Sequence, residues 1–311
     1  MGKLLTNSAA VTETLNPSPS LLQWPEAAPV HSPKDADMAA AAWAGVSGLD
    51  EQLRRRLEMI RERGVFWKNP RDAAAPGVAF RLDHGGDVEA DGNCLFTAVR
   101  RAIGSSVVEV RELRQRAVRR FLEDYGSADG SEKEAVDVAI RHLYSPDLNS
   151  GWGVHVVQEV KLLAKKADRE SLDAAIQDLV DLGLQRELAS ESIYKEQCIA
   201  ISDGLSWAKY MSTSGSLDDE YDIITLQYTD DGLLSIDENR NGIAAAFGDD
   251  IAIESLATEL QREVYVVQAH GLDAMVDENT CVFFLPHRPR VQICEHPIFL
   301  FMKGTGKESF F

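Results

Sequence analysis

Three short apolar runs near the end of the chain, at 264–267, 281–285 and 298–302, constrain the fold most. Each is rich in β-branched and aromatic residues and reads as a strand. They follow a long series of helical patterns rather than alternating with them. Helices first and a small late sheet is the order of an α+β fold, not of a strict βαβ chain. The helical patterns begin at Cys94, where Leu95, Val99 and Ile103 share a face and Gly104 is a natural stop. A second helix is expected over 108–124, with Val110, Leu113, Ala117 and Phe121 on one side, and a third over 132–143. Further helices are expected over 155–166, 171–187, 203–211 and 251–260. The acidic stretch 214–250, with Arg240 as its single basic residue, reads as a solvated excursion holding a strand at 222–228 and a short hairpin.

Before the helices the texture differs. Residues 1–47 carry Pro17, Pro19, Pro25, Pro29 and Pro33 among Ser and Ala runs, with no period long enough to bury a face. That is the composition of a disordered arm. A helix is expected over 50–63, with Leu53, Leu57 and Ile60 on one face and Arg54, Arg55 and Arg56 on a solvated one. The helix and a Pro/Gly/Ala-rich linker fill 48–75, and one domain is expected over 76–311, with an acidic insertion at about 214–245.

The chain has 311 residues and a formal net charge of −18. Such an acidic chain suits a basic protein partner and argues against non-specific binding of nucleic acid or anionic membrane, which needs clustered Lys and Arg. No apolar stretch is long enough for a membrane span, and the first residues lack a secretory n-region and h-region. Met1 to Thr6 fits the loose myristoylation pattern, but no polybasic stretch supplies a second anchor, so no stable membrane association is expected. Cys94, Cys198, Cys281 and Cys294 stand far apart without a CxxC pair, so neither a disulfide framework nor a zinc site is expected. Reduced thiols in the cytosol or nucleus are the expectation. No metal and no cofactor is called for: there is no phosphate-cradling loop, and no Gly-x-Ser-x-Gly elbow either.

The stretch that carries chemistry is Asp91-Gly92-Asn93-Cys94-Leu95-Phe96. A turn of Asp, Gly and Asn ends where an amphipathic helix starts, which puts the Cys94 thiol at a helix N-terminus. There the unpaired N–H groups and the positive dipole end favour a thiolate. Gly92 permits a tight turn whose N–H groups can face an oxyanion, and Asp91 can bond to those N–H groups and hold the turn. The same residues also fit a buried structural cysteine behind an ordinary N-cap, and physical chemistry alone leaves both readings open.

Residues 91–96 resemble the nucleophile motif of the ovarian-tumour (OTU) family of papain-like cysteine proteases, most of which are deubiquitinases. Trp207, Tyr210 and Met211 are similar to a helix of that family. Phe247-Gly248-Asp249, the apolar positions that follow and the strand from Val264 resemble its Trp-Gly-Gly, helix and strand segment, with Phe247 in place of the tryptophan. The resemblance covers roughly 80–303 and implies a papain-like α+β fold. It implies Cys94 as nucleophile, Asp91 as support of the oxyanion loop, and ubiquitin or polyubiquitin as substrate. The arginine-bearing ubiquitin tail would be steered by acidic positions.

The family also places a histidine just after the strand at 297–302 and a glycine-containing loop. Here the chain reads Lys307-Glu308-Ser309-Phe310-Phe311. Three expectations follow: an incomplete chain whose last sheet edge is left open, a pseudoenzyme that binds ubiquitin without cutting it, or another histidine as general base. Among His31, His84, His142, His155, His270, His287 and His296, the candidate is His296, although it precedes the last strand. Cys198, Cys281 and Cys294 read as small buried hydrophobes, and Trp152 as a loop residue packed on the core.

Overall fold

The structure, a computed structural model, describes residues 3–7, 65–68, 79–82, 85–89, 91–104, 108–144, 158–216, 218–229, 232–237, 246–269 and 282–303. In chain order the elements are β1 (Lys3–Asn7), β2 (Val65–Lys68), β3 (Ala79–Leu82), α1 (Cys94–Ala102), α2 (Val110–Ser127), α3 (Gly130–Tyr144) and β4 (Gln158–Lys165). There follow α4 (Arg169–Asp181), α5 (Arg186–Gln197), β5 (Ile199–Ala200), α6 (Gly204–Ser212), β6 (Tyr221–Thr229) and β7 (Gly232–Asp237). The last are α7 (Asp250–Leu260), β8 (Val264–Ala269), β9 (Val282–His287) and β10 (Ile298–Lys303). This is an α+β fold.

The late strands form a four-stranded sheet in the order β1-β10-β8-β9, with β10 and β8 parallel and the outer pairs antiparallel. Its two faces follow from strand alternation. Val264 and Val266 of β8 and Ile298 and Leu300 of β10 enter a core shared with α1, α2, α6 and α7. Tyr265, Val267, Phe299 and Phe301 enter a second cluster on the opposite face. There Trp67 of β2 stands edge-on to Phe299 at 5.1 Å and to Tyr265 at 5.3 Å. Both faces are covered, which is why these strands read as unbroken apolar runs.

A second four-stranded sheet, β5-β4-β6-β7, is antiparallel throughout. Leu162, Ala164, Ile224 and Leu226 face α4 and α5, where Leu172, Ile176, Ala189 and Ile193 cover them. Leu163 and Ile223, on the other face, join the main core. The sheet is therefore a layer between two helical layers. Lys161, buried in this sheet, is satisfied: its Nζ donates to Thr225 Oγ1 at 2.8 Å and sits 3.0 Å from Glu159.

Several expectations are corrected. Residues 158–165 are strand, not helix; a short run such as Val160 to Ala164 fits either period, and pairing with β6 along its whole length decides. The acidic stretch is not merely solvated, because Asp222 to Leu226 of β6 are buried in the middle of that sheet. The helical pattern at 171–187 is two helices, broken at Gly183, whose φ of 99° suits glycine. The stretch 48–75 is not only helix and linker, because β2 pairs with β3 and buries Val65 and Trp67. Lys3–Asn7 do not belong to a disordered arm: they pair with β10 along the outer edge that was expected to stand open. Pairing there satisfies backbone groups an edge strand would leave unpaired. The expected helix at 50–63, Arg54 to Arg56, Trp152 and Cys281 lie outside the described residues, as does the rest of 1–47. Among the described residues no helix is long and apolar enough to cross a membrane.

Candidate active site

The helix that begins at Cys94 is anchored by its own sequence. Leu95, Phe96, Ala98 and Val99 are all fully buried, so one face of α1 is fixed against the main core. The turn before it is held from within. Asp91 Oδ1 accepts the N–H of Asn93 at 2.9 Å, closing an Asx turn across Gly92. Gly92 has φ of 84°, a left-handed conformation that a residue with a Cβ adopts only at a cost. Asn93 O accepts the first helical bond, from Thr97 N at 2.9 Å.

Asn93 occupies the N-cap position, yet its side chain does not cap the helix. Its Oδ1 instead accepts from Nε of Arg114 at 3.0 Å. Arg114 lies on α2 and is fully buried. Its Nη2 donates to Gly92 O at 2.7 Å and to Ala246 O at 2.8 Å, and its Nη1 donates to Met211 O at 3.0 Å. The guanidinium plane lies over the Phe96 ring, 4.4 Å from its centre. One side chain thus joins the turn, the first turn of α1, the end of α6 and the segment before α7. Burial lowers Arg114 to about 10, against favourable interactions with Tyr210, Cys94, Asp91 and Asp219. It remains a cation at neutral pH.

The segment before α7 closes on the same helix. Gly248 lies so near α1 that a Cβ there would meet Leu95 Cδ2 at 2.2 Å and Leu95 Cβ at 2.8 Å. Asp249, the N-cap of α7, is buried. Its Oδ1 accepts from Ala252 N at 2.9 Å, and its Oδ2 accepts from Trp207 Nε1 at 2.9 Å and from the Tyr144 hydroxyl. Burial pushes Asp249 up despite these donors, and pushes Tyr144 well up as well. Trp207 and Tyr210, singled out from sequence, are buried core residues that tie α6 to this junction.

The structure brings Cys94 and Asp91 into one turn and places His296 elsewhere. Cys294 N donates to Gln261 O at 3.0 Å and Ile298 N donates to Glu263 O at 2.8 Å. His296 is held between those two anchors, exposed, past the C-terminal end of α7. Cys94 adjoins the N-terminal end, through Leu95 and Gly248. The helix between them has 11 residues, about 16 Å at 1.5 Å each. His142 is exposed on α3. His287, at the end of β9, has Nε2 3.6 Å from Asp250 Oδ1, and burial lowers its pKa. His31, His84, His155 and His270 lie outside the described residues.

Cys94 is 3% exposed, so its sulfur lies beneath the surface. Cys198 is half-buried and pushed up to about 11 by burial, an inert thiol rather than a reactive one, and Cys294 is exposed rather than the buried hydrophobe expected. Among the described residues no three His, Cys, Asp or Glu side chains gather as a metal site requires. Arg114 was missed by sequence reasoning, although it falls beside Leu113 and one turn before Ala117 and Val118, on the stripe that α2 buries. The chain matches no protein-family model, no curated protein and no solved structure.

Proposed function

We propose that the chain carries a papain-like domain of the ovarian-tumour type, in which Cys94 is the nucleophile for hydrolysis of isopeptide bonds at the ubiquitin C-terminus. The observation that carries this reading is the built turn: Asp91 closes it, Gly92 takes the left-handed conformation, and Cys94 opens α1. The side chain at the N-cap is drawn away to Arg114, so it does not occupy the helix end where an oxyanion would sit.

In this reading the Cys94 thiolate attacks the carbonyl carbon of the ubiquitin C-terminal glycine. The carbonyl oxygen becomes an oxyanion facing the N–H groups at the start of α1. Its collapse expels the lysine amine, which takes a proton, and leaves a thioester at Cys94. Water then attacks the thioester, giving a carboxylate and restoring the thiol.

A second reading has one specific observation in its favour. His296, the candidate base, is held at the far end of α7 from the end that Cys94 adjoins. This favours a domain that binds ubiquitin without turning it over.

A ubiquitin probe with a C-terminal electrophile separates the readings, with Cys94→Ala as control. Labelling that requires Cys94, together with cleavage of diubiquitin, is expected for the hydrolase. Binding with no cleavage supports the second reading. A folded chain that neither binds nor is labelled refutes both.

A further inference from the structure

Arg114 has an unusual set of partners for a fully buried cation. All four of its hydrogen bonds go to neutral oxygens: Asn93 Oδ1 and the carbonyls of Gly92, Met211 and Ala246. Among the described residues no carboxylate forms an ion pair with it. A buried arginine is ordinarily matched by a carboxylate, because dipoles alone repay its desolvation poorly.

The ionisable groups that interact with it electrostatically come from several elements. They are Cys94 from α1, Asp91 from the turn, Tyr210 from α6 and Asp219 from the segment before β6. Asp219 is engaged elsewhere: it accepts from Arg111 at 3.4 Å and from the N–H groups of Ser214 and Ser216 at 3.0 and 2.7 Å. Asp91 accepts from Asn93 N. Tyr210 packs edge-on against Tyr144. From α7, Asp249 is bound to Trp207 and Tyr144. Cys94 follows directly on Gly92 and Asn93, the two residues of the turn that Arg114 grips, and opens the helix its guanidinium lies against.

We propose that Arg114 is a positioning residue with two tasks at this site. Its hydrogen bonds fix the Gly92–Cys94 turn to α2, α6 and the segment before α7, and its buried positive charge beside that turn favours the Cys94 thiolate. The proposal rests on the reading of Cys94 as a nucleophile, and extends it by naming what holds the nucleophile charged and in place.

The test is the pH dependence of Cys94 alkylation by iodoacetamide in the full chain, followed at the Cys94 peptide by mass spectrometry. The wild-type midpoint is expected below the ordinary thiol value of about 8.5. Arg114→Gln is expected to raise the midpoint by about one unit, so that alkylation near pH 6.5 slows about tenfold while the rate at high pH is kept. Arg114→Lys retains the charge but loses the planar fork. It is expected to keep the low midpoint while its labelling by the ubiquitin probe falls. A wild-type midpoint at or above 8.5 overturns the proposal and needs no variant. So does an unchanged midpoint in Arg114→Gln whose near-ultraviolet circular dichroism matches wild type. The titration contains no ubiquitin, so a low midpoint without probe labelling would refute the hydrolase reading and leave the role of Arg114 standing.

Discussion

Gly248→Ala tests a close approach in the fold, where the segment before α7 meets the helix that carries Cys94. The added methyl would lie 2.2 Å from Leu95 Cδ2, 3.1 Å from Cγ and 2.8 Å from Cβ. Rotating Leu95 could clear Cδ2 and Cγ. It cannot clear Cβ, which moves only with the backbone of α1. Carbon atoms pack at about 3.5–4.0 Å, so the two segments must part by about 1 Å. Gly248 is not among the glycines with a positive φ, so the cost is contact and not backbone strain. Overpacking of this kind costs about 1–3 kcal/mol, which lowers the melting temperature by about 2–4 °C per kcal/mol in a chain of this size. Urea and thermal unfolding followed by tryptophan fluorescence measure it. A double-mutant cycle with Leu95→Ala sharpens the test. Leu95→Ala alone should cost about 2–5 kcal/mol as a buried truncation, but the methyl at 248 would fill part of that space. The pair should therefore be less than additive, with a coupling of about 0.5–3 kcal/mol. A Gly248→Ala chain as stable as wild type, or a strictly additive pair, would show that the two segments are not pressed together.

Two further outcomes follow from the helix ends of the same core. At the start of α6, Asp203 Oδ1 accepts from Leu205 N and Ser206 N, both at 2.9 Å, and Ser206 Oγ accepts from Asp203 N at 3.1 Å. Asp203→Ala should cost about 1 kcal/mol in urea unfolding; no loss would mean that this capping box does not stabilise the helix. Asp250, at the start of α7, is pushed up to about 6 by burial, with Asp249 adding to the shift. A carboxyl raised in the folded state stabilises below its unfolded value, near 3.8, and that contribution is lost as pH rises through 6. Wild type should therefore lose stability relative to Asp250→Asn between about pH 4 and pH 7. His287, 3.6 Å from it, is held low by burial, which works in the opposite sense, and making the same comparison in a His287→Gln background isolates Asp250. A difference that does not change with pH would contradict the assignment.

What could be read from the sequence was the part written in local chemistry. The start of α1 at Cys94, the stop before Gly104 and the strands β8 and β10 follow from periodicity and from glycine, and the structure has them. The Asx turn at Asp91 also follows from residue type alone. The second sheet did not follow, because its strands acquire their character from pairing. Gln158–Lys165 carries lysines at 161 and 165 between apolar residues, which suits a solvated helix face equally well. Only pairing with Tyr221–Thr229 makes it strand, and only Thr225 and Glu159 make a buried Lys161 tolerable. The ribbon β2–β3 was hidden in the same way, since the Pro/Gly/Ala-rich stretch between its strands reads as a linker when its partner is unknown.

Arg114 marks the limit more sharply, because its sequence context argues against its role. It sits among Arg111, Arg116, Arg119 and Arg120, in a helix whose other arginines face outward, and Arg116 and Arg120 pair with Glu112 and Asp124 along the helix. Charge alone makes it one more solvated residue. Its position distinguishes it: residues 113, 114, 117, 118 and 121 form a single buried stripe, and Arg114 is the one charged member. A cation on an apolar stripe must either leave the stripe or find enough oxygens to replace water. Here the oxygens are carbonyls exposed by a glycine turn, a helix end and the approach to α7, none of which is visible until the chain has folded. The nucleophile candidate could thus be named from six consecutive residues. The residue that holds its turn comes from a different helix, and tertiary structure alone supplies its reason to be there.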